Sequence, residues 1–170
     1  MFKLTLPDGS TYEGAEGAAR SQWDGETVKG VVIKSNDELR YTLCVAYPVD
    51  QADIQKARDG YRDFASSEAL QKAAWSFMDN GGDVGAFHAP GTDGAGRTVE
   101  SYILPCDWVV KAVDGEEYTV KAGSWMQGTI WSPTAWELIK SGEINGMSMQ
   151  GGARRRAPTP ADVARVLGSK

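Results

Sequence analysis

Short alternating strands separated by tight turns constrain the fold of this chain more than any other sequence feature. Asp8-Gly9 lies between "FKLTL" and "TYEG", and Asp114-Gly115 lies inside "WVVKAVDGEEYTVKAG", so both stretches are predicted hairpins. Further strands are predicted over residues 28–35, 40–49, 84–88, 97–104 and 124–131, with a strand or strand edge over 144–152. Hairpins rather than long helical crossovers join most of these strands, which indicates an antiparallel sheet and disfavours a doubly wound parallel one.

Three short helices complete the predicted architecture. Each has a hydroxyl residue that can cap its first turn: Ser66 or Ser67 before "EALQKAAWSFMD", Ser132 before "PTAWELIK" and Thr159 before "PADVARVL". The first helix carries an apolar stripe of Leu70, Ala73, Ala74 and Phe77. We therefore expect an α+β, mainly β fold: a closed or half-closed antiparallel β-barrel with short helices packed outside it.

Length, composition and charge exclude several classes of protein. A chain of 170 residues with 41% hydrophobic residues fits one globular domain. No apolar run is long enough to span a membrane, and the N-terminus lacks a signal-peptide pattern, so we expect the protein to stay in the cell that makes it. A formal net charge of −5 argues against nucleic acid as the main partner.

The chain has few residues that could bind a metal ion. It contains two cysteines and one histidine, without metal-ligand spacing, so we expect no zinc site and no cofactor. Cys44 lies in the alternating segment "RYTLCVAY" and is predicted to be a small buried side chain.

Two residues far apart in the sequence are candidates for hydrolytic chemistry. His88 lies at the end of a predicted strand, before the glycine-rich "APGTDGAG", where it could act as a general base or form a structural hydrogen bond. Ser148 lies in "EINGMSMQGG", a Gly-x-Ser-x-x-Gly pattern that differs from the nucleophile elbow of α/β-hydrolases. It is either a nucleophile or a turn serine. Backbone N–H groups of Met149, Gln150, Gly151 and Gly152 could form an oxyanion hole beside it.

A carboxylate would be needed to orient the histidine. Glu100 in "TVESY" is the first candidate, because alternation places it on one strand face with Thr98 and Tyr102, opposite the end of the strand that carries His88. A solvent-facing strand carboxylate is the competing interpretation. Asp93 and Asp107 are the reserve candidates.

Three consecutive arginines follow the serine segment. Arg154, Arg155 and Arg156 form either a solvated basic loop or a positive surface next to the reacting groups.

The segments "KAAWSFMDNGGDVGAFHAPG", "RTVESYIL" and "GSWMQGTIWSPTAWELIKSGEINGMSMQGGARRR" resemble the prohead serine proteases of tailed bacteriophages, in particular the phage serine protease branch. The resemblance covers residues 40–156. It implies a β-barrel like that of the herpesvirus assemblins, with a capsid maturation endopeptidase activity. The family's serine falls on Ser148, its histidine on His88 and its carboxylate on Glu100.

The resemblance also implies a setting and partners. Such enzymes cleave scaffold or capsid protein segments inside the assembling procapsid in the bacterial cytoplasm, and often cleave themselves. The expected partners are the phage scaffold protein, the major capsid protein and further copies of the chain. Membranes and nucleic acid are not expected to be direct partners. Residues 1–39 would then form an N-terminal hairpin and linker, residues 40–156 the protease-like barrel domain, and residues 157–170 a C-terminal helix.

Two other functions stay open at this point. A catalytically inactive structural or scaffold-associated assembly protein could use the same fold, with Ser148 in a structural turn. A small-ligand-binding barrel is suggested by six tryptophans, although core packing is their commoner use: Trp23, Trp75, Trp108, Trp125, Trp131 and Trp136.

Overall fold

The computed structural model describes residues 2–5, 11–14, 32–52, 62–149 and 152–168. Within these ranges the chain forms the following strands and helices: β1 Phe2–Thr5, β2 Thr11–Gly14, β3 Val32–Asn36, β4 Tyr41–Tyr47, α1 Ser67–Asp79, β5 Asp83–Val84, β6 Gly96–Ile103, β7 Trp108–Lys111, β8 Glu117–Val120, β9 Trp125–Trp131, α2 Pro133–Lys140 and α3 Pro160–Gly168. The prediction of a mainly β, antiparallel fold with short helices is confirmed.

A five-stranded sheet forms the centre of the described fold. Its strand order is β3-β4-β9-β6-β5, and every neighbouring pair is antiparallel. β9 is the middle strand, and six of its seven residues are buried. The predicted hairpins β1–β2 and β7–β8 are separate two-stranded sheets, which confirms both, although the turn at Asp8-Gly9 lies outside the described residues.

The sequence predicts a closed or half-closed barrel, and the described strands do not form a closed one. β3 and β5 are the two edges of the central sheet, and no pairing joins them. The β7–β8 hairpin packs across one face of the sheet instead of extending it, through Trp108, Val110 and Val120. The architecture is therefore an open sheet covered on both faces.

Helices cover one face of the sheet, which we call the helix face. Its side chains include Trp125, Gln127, Thr129 and Trp131 of β9, which alternate with the residues of the other face. Leu70 and Ala74 of α1 pack against Trp125, while Ala135, Trp136 and Leu138 of α2 pack in the cluster of Trp131. The apolar stripe predicted for α1 is confirmed.

The opposite face, which we call the hairpin face, packs against β7 and β8. Met126, which is 0% exposed, lies at its centre with Leu43 and Val45 of β4. Burying a side chain of this size stabilises a fold by roughly 1.5–3 kcal/mol, so the hairpin contributes a second apolar core.

The predicted helix caps are present. The Ser66 hydroxyl accepts from the Ala69 N–H at 3.4 Å, and the Ser132 hydroxyl accepts from the Ala135 N–H at 3.2 Å. At α3, Asp162 Oδ2 accepts from the Thr159 N–H at 2.8 Å, and the Asp162 N–H donates back to the Thr159 hydroxyl at 3.3 Å. This reciprocal pair is a capping box.

Tryptophan side chains mainly build the cores. Trp125, Trp131 and Trp136 are buried, and Trp108 is partly buried in the hairpin-face cluster. Trp75 is 63% exposed, and Trp23 lies outside the described residues. The cavity beside Cys44 and Met147 has a volume of about 10 Å³, the space of one water molecule. These positions agree with core packing rather than with a ligand-binding barrel.

Cys44 is buried, as predicted, with 2% of its surface exposed. Burial raises the pKa of its thiol to about 11, so the sulfur stays protonated and unreactive at neutral pH. The loops predicted over residues 14–27 and 50–65 lie largely outside the described residues. The division of the chain at residues 39 and 156 stays a prediction.

Candidate active site

His88 lies in a tight turn and not in a strand. The prediction of a strand over residues 84–88 is wrong beyond Val84, where β5 ends. The Ala89 N–H donates to the Ala86 carbonyl at 3.0 Å, and both central residues have positive φ angles, 56° at Phe87 and 52° at His88. This is the geometry of a type I′ turn, which normally carries asparagine or glycine at these positions.

The buried side chain of Thr92, which is 1% exposed, holds the turn through hydrogen bonds. Its hydroxyl oxygen accepts from the Ala86 N–H at 2.9 Å. The hydroxyl hydrogen can donate to the carbonyl of Ala86 at 2.9 Å or of Ala89 at 2.7 Å. One buried side chain thus holds both ends of the turn that presents His88.

Left-handed conformations of Phe87 and His88 are costly. Each residue that is not glycine loses roughly 1–2 kcal/mol in this region, because its Cβ crowds the backbone. Such strain persists only where surrounding contacts impose it, and it is concentrated at functional sites. The strained turn therefore marks His88 as a functional candidate on structural grounds.

Ser148 follows α2 through a tightly folded connection. Gly142, with φ of 79°, turns the chain after α2, and the Ile144 N–H donates to the Leu138 carbonyl at 3.0 Å. Ile144 and Met147 then pack on the helix-face core, and Ser148 is exposed. The strand predicted over residues 144–152 is reduced to one bridge residue, Met147, among the described residues of this stretch.

The neighbours of His88 and Ser148 meet in one apolar cluster. Phe87 and Met147 both pack against the buried group that contains Trp131 and Trp136. His88 and Ser148 each directly follow one of these anchored residues in the sequence. Direct contact between the imidazole and the hydroxyl stays a prediction.

Glu100 lies on the other face of the sheet. Thr98 pairs with Thr129 and Glu100 pairs with Gly128, so Val99 is an extra residue in a β-bulge. The bulge reverses the alternation, and the expectation that Glu100 shares a face with Thr98 is wrong. Glu100 Oε1 accepts from the Tyr41 hydroxyl at 2.9 Å, on the hairpin face.

From the hairpin face, Glu100 acts on the hydroxyl group of Tyr41. Burial, the hydrogen bond to Glu100 and the negative charge of Glu100 together raise the pKa of Tyr41 well above its ordinary value. A side chain at Gly128 would lie 2.9 Å from the Tyr41 hydroxyl, so the tyrosine covers a position where only glycine fits. The role predicted for Glu100 beside His88 gains no support from this arrangement.

The two reserve carboxylates differ in their surroundings. Asp93 is exposed in the same loop as His88, one residue after Thr92. Asp107 accepts from the Ala122 N–H at 2.9 Å and from Lys121 Nζ at 3.0 Å, and these contacts lower its pKa. Asp107 therefore belongs to the connection around β7 and β8, and Asp93 is the carboxylate nearer to His88 along the chain.

Two of the three arginines form ion pairs within the chain. Arg155 lies 2.6 Å from Asp63, and Arg156 lies 2.6 Å from Asp162. Arg154 is exposed. Within the predicted oxyanion segment, Met149 and Gly152 are exposed, whereas Gln150 and Gly151 lie outside the described residues.

Sequence reasoning missed Thr92 and Phe87. A threonine between Gly91 and Gly94 reads as an ordinary loop residue, and Phe87 continues an apparent strand alternation. The sequence signal for this loop was its pair of glycines, Gly91 and Gly94, which indicates successive turns. In the structure both have positive φ angles, 79° at Gly91 and 86° at Gly94.

Over the described ranges, no group of three or more His, Cys, Asp or Glu residues could hold a metal ion. In the same ranges, no helix has the length and apolar character required to cross a membrane.

The chain belongs to the family described as "Putative phage serine protease XkdF", whose model matches residues 27–156. The match begins 13 residues before the start of the resemblance seen in the sequence, and both end at residue 156. It therefore includes β3, the edge strand of the central sheet.

Two relatives come from Bacillus subtilis (strain 168). The chain is 35% identical over 128 residues to the phage-like element PBSX protein XkdF, covering 75% of this chain and 42% of that protein. It is 34% identical over 123 residues to the uncharacterized protein YqbD, covering 72% of this chain and 34% of that protein. The matched region thus spans less than half the length of either relative. No solved structure matches the chain.

Proposed function

We propose that this chain is the peptidase unit of a prohead maturation serine endopeptidase, which cleaves segments of the phage scaffold protein or major capsid protein. The observation that carries the proposal is the strained turn of Phe87 and His88, which packs on the same apolar cluster as the residue before Ser148. Membership in a phage serine protease family supports the same reaction class.

The proposed reaction is acyl transfer. Ser148 Oγ attacks the scissile carbonyl carbon while the His88 imidazole accepts the hydroxyl proton. The tetrahedral intermediate collapses as His88 gives that proton to the leaving amine, which breaks the C–N bond. Water, deprotonated by His88, then attacks the acyl carbon. The ester bond to Ser148 Oγ breaks as His88 returns the proton to that oxygen, which releases the carboxylic acid product. Backbone N–H groups within residues 149–152 stabilise the oxyanion in this scheme.

The orienting carboxylate in this proposal is Asp93 or none, since Glu100 bonds Tyr41 on the other sheet face. A Ser-His dyad would still accelerate hydrolysis, because the proton transfer needs only the two reacting groups. Exposed Arg154 supplies positive charge that suits an acidic substrate segment.

We further propose that the protein acts inside the procapsid in the host cytoplasm, self-associates, and shares the assemblin-like fold of its family. The central sheet would correspond to part of such a barrel.

The test compares wild type with Ser148→Ala, His88→Gln and Ser141→Ala. Ser141 is an exposed serine directly after α2 and serves as the matched control. Each variant is co-expressed with the cognate scaffold and major capsid proteins, and cleavage products are read by mass spectrometry. We expect cleavage by wild type and Ser141→Ala only.

Two outcomes would contradict this assignment. Cleavage that persists in Ser148→Ala excludes that serine as the nucleophile. Normal particle assembly without any cleavage by wild type favours the catalytically inactive assembly protein.

A further inference from the structure

We infer that Thr92 is the residue that positions the His88 imidazole for reaction. The inference deepens the proposed function and rests on it, because it assigns a role to a side chain behind the proposed base. Thr92 does not touch a substrate in this scheme. It acts only through the turn that it holds.

A continuous series of hydrogen bonds organises the loop that carries His88. Three successive turns, Ala86–Ala89, Ala89–Thr92 and Thr92–Ala95, are each closed by a backbone N–H donated to a carbonyl, at 3.0, 3.3 and 3.1 Å. The Thr92 hydroxyl is bound within the first turn, six residues back in the sequence. It therefore links the far end of the loop to the turn that carries His88.

Both ends of the loop that carries His88 are buried. Ala86 is 3% exposed and Ala95 is 0% exposed, so the loop is anchored at both ends in the helix-face core. A Cβ at Gly85 would lie 3.2 Å from the Thr92 hydroxyl oxygen, which shows how closely the chain surrounds this atom. Without the hydroxyl, the buried Ala86 N–H would lose its partner.

The turn that carries His88 is strained. Phe87 is held in a left-handed conformation that bulky residues normally avoid, and His88 adopts the same conformation directly after it. When the restraint from Thr92 is removed, the turn is expected to relax toward negative φ angles, which redirects the side chain of His88. The direction of the imidazole is thus coupled to one hydroxyl group that lies within the protein.

The experiment uses the full chain with three variants. Thr92→Val removes the hydroxyl at constant shape, Thr92→Ser keeps it, and Thr98→Val is the matched control. Thr98 is also buried, and its hydroxyl accepts from Gln127 Nε2 at 2.8 Å, away from the turn. The readouts are the NMR resonance of the histidine ring, unique because the chain has one histidine, and the rate at which a fluorophosphonate probe labels Ser148.

We expect Thr92→Val to shift the histidine resonance and to slow labelling about tenfold, the factor that corresponds to one lost buried hydrogen bond. Thr92→Ser should restore both values, and Thr98→Val should change neither. An unshifted histidine resonance in Thr92→Val, or equal loss in Thr92→Ser, overturns the inference.

A second measurement needs no variant and applies even if Thr92→Val fails to fold. In the wild-type chain, the Ala86 amide hydrogen should exchange with solvent much more slowly than an exposed turn amide such as Gly115. Rapid exchange at Ala86 would also overturn the inference. If wild type is not labelled at Ser148, the proposed function fails, while the resonance and exchange data still decide the role of Thr92.

Discussion

A single residue can determine on which face of the central sheet a candidate catalytic side chain lies. Val99 is the extra residue in β6 that moves Glu100 to the hairpin face, where its carboxylate accepts from Tyr41. Phe87 and Met147, the residues before His88 and Ser148, pack on a cluster on the helix face. The carboxylate that sequence alternation favoured is thus separated from the proposed reacting groups by the sheet itself.

Glu100→Gln should leave peptide cleavage close to the wild-type rate, because Glu100 faces away from the helix-face cluster. It should also lower the pKa of Tyr41 toward the ordinary value, since the charge and the strong acceptor are lost while burial remains. Alkaline titration of the phenolate absorbance measures this shift, and Glu116→Gln, exposed in the β7–β8 turn, is the control. A large loss of cleavage would instead return Glu100 to the catalytic group.

The raised pKa of Tyr41 gives stability a defined dependence on pH. Its folded pKa lies above the unfolded value of about 10, so its contribution is complete below pH 10 and is lost as the pH rises through the folded value. Unfolding in denaturant at increasing alkaline pH should show a steeper loss for wild type than for Glu100→Gln.

At the level of elements, ion pairs fasten α3 to the rest of the chain. Asp162, 3% exposed, accepts from Arg156 at 2.6 Å and from Arg165 at 2.5 Å, and Arg165 also donates to Asp50 at 3.1 Å. The hydrogen bond to Arg156 and those to Thr159 and Arg165 hold the pKa of Asp162 far below its usual range. The folded carboxylate therefore stays charged well below pH 4. Its contribution to stability is complete above the unfolded pKa of about 4 and is lost as the pH falls from there toward the folded pKa.

Asp162→Asn should loosen α3 without unfolding the sheet, because it removes the negative charge that pairs with two arginines and one of the two acceptor oxygens. Hydrogen exchange should accelerate across residues 159–168 and stay unchanged in β9. Glu137→Gln, which breaks the exposed pair with Lys140, is the control and should have almost no effect. Unchanged exchange in α3 after Asp162→Asn would show that the contacts of Asp162 do not hold this helix.

Gly96, at the start of β6, should not tolerate a side chain. A Cβ there would lie 2.7 Å from Thr129 Cγ2 and 2.9 Å from Trp131 Cε3. Gly96→Ala should lower the free energy of unfolding by about 1–3 kcal/mol, the usual cost of overpacking. Gly168→Ala, where a Cβ meets nothing within 4 Å, is the control. Denaturant titration of both variants would measure the difference, and equal stability would contradict the close packing.

The elements that the sequence predicted correctly are those set by local signals. Ser66, Ser132 and Thr159 cap their helices through contacts within three residues, so the sequence near each cap contained the required information. The turn that ends β5 early and the face of Glu100 could not be predicted, because they depend on the Thr92 hydroxyl and on a bulge that no alternation pattern reveals. The site residues proposed from resemblance depend on spatial proximity, which sequence spacing does not determine.

Considered as a whole, the described fold has two apolar cores that share one sheet. Leu70, 1% exposed, lies in the helix-face core, and Met126, 0% exposed, lies in the hairpin-face core. The described strands do not close into a barrel, because hairpin connectivity does not determine whether a hairpin extends a sheet or covers it. Here the β7–β8 hairpin covers one face of the sheet, whereas helices cover the other face.

Leu70→Ala and Met126→Ala should each lower the free energy of unfolding by about 2–5 kcal/mol, the usual cost of a core truncation. Each should still unfold in one transition, because the shared sheet couples the two cores. Tryptophan fluorescence and circular dichroism in denaturant would record this. Leu167→Ala, 64% exposed, is the control. Separate transitions for the two probes would show that the cores unfold independently.

An open sheet has two edge strands, here called its rims, whose unpaired backbone groups could recruit strands from neighbouring molecules. Here one rim is only two residues long, at β5, and the other, at β3, displays exposed Lys34, Ser35 and Asn36, with its first carbonyl taken by the Val113 N–H. Short, charged or covered rims discourage uncontrolled strand addition. Many copies of this chain could therefore be crowded into a small volume without fusing into fibrous aggregates through these rims.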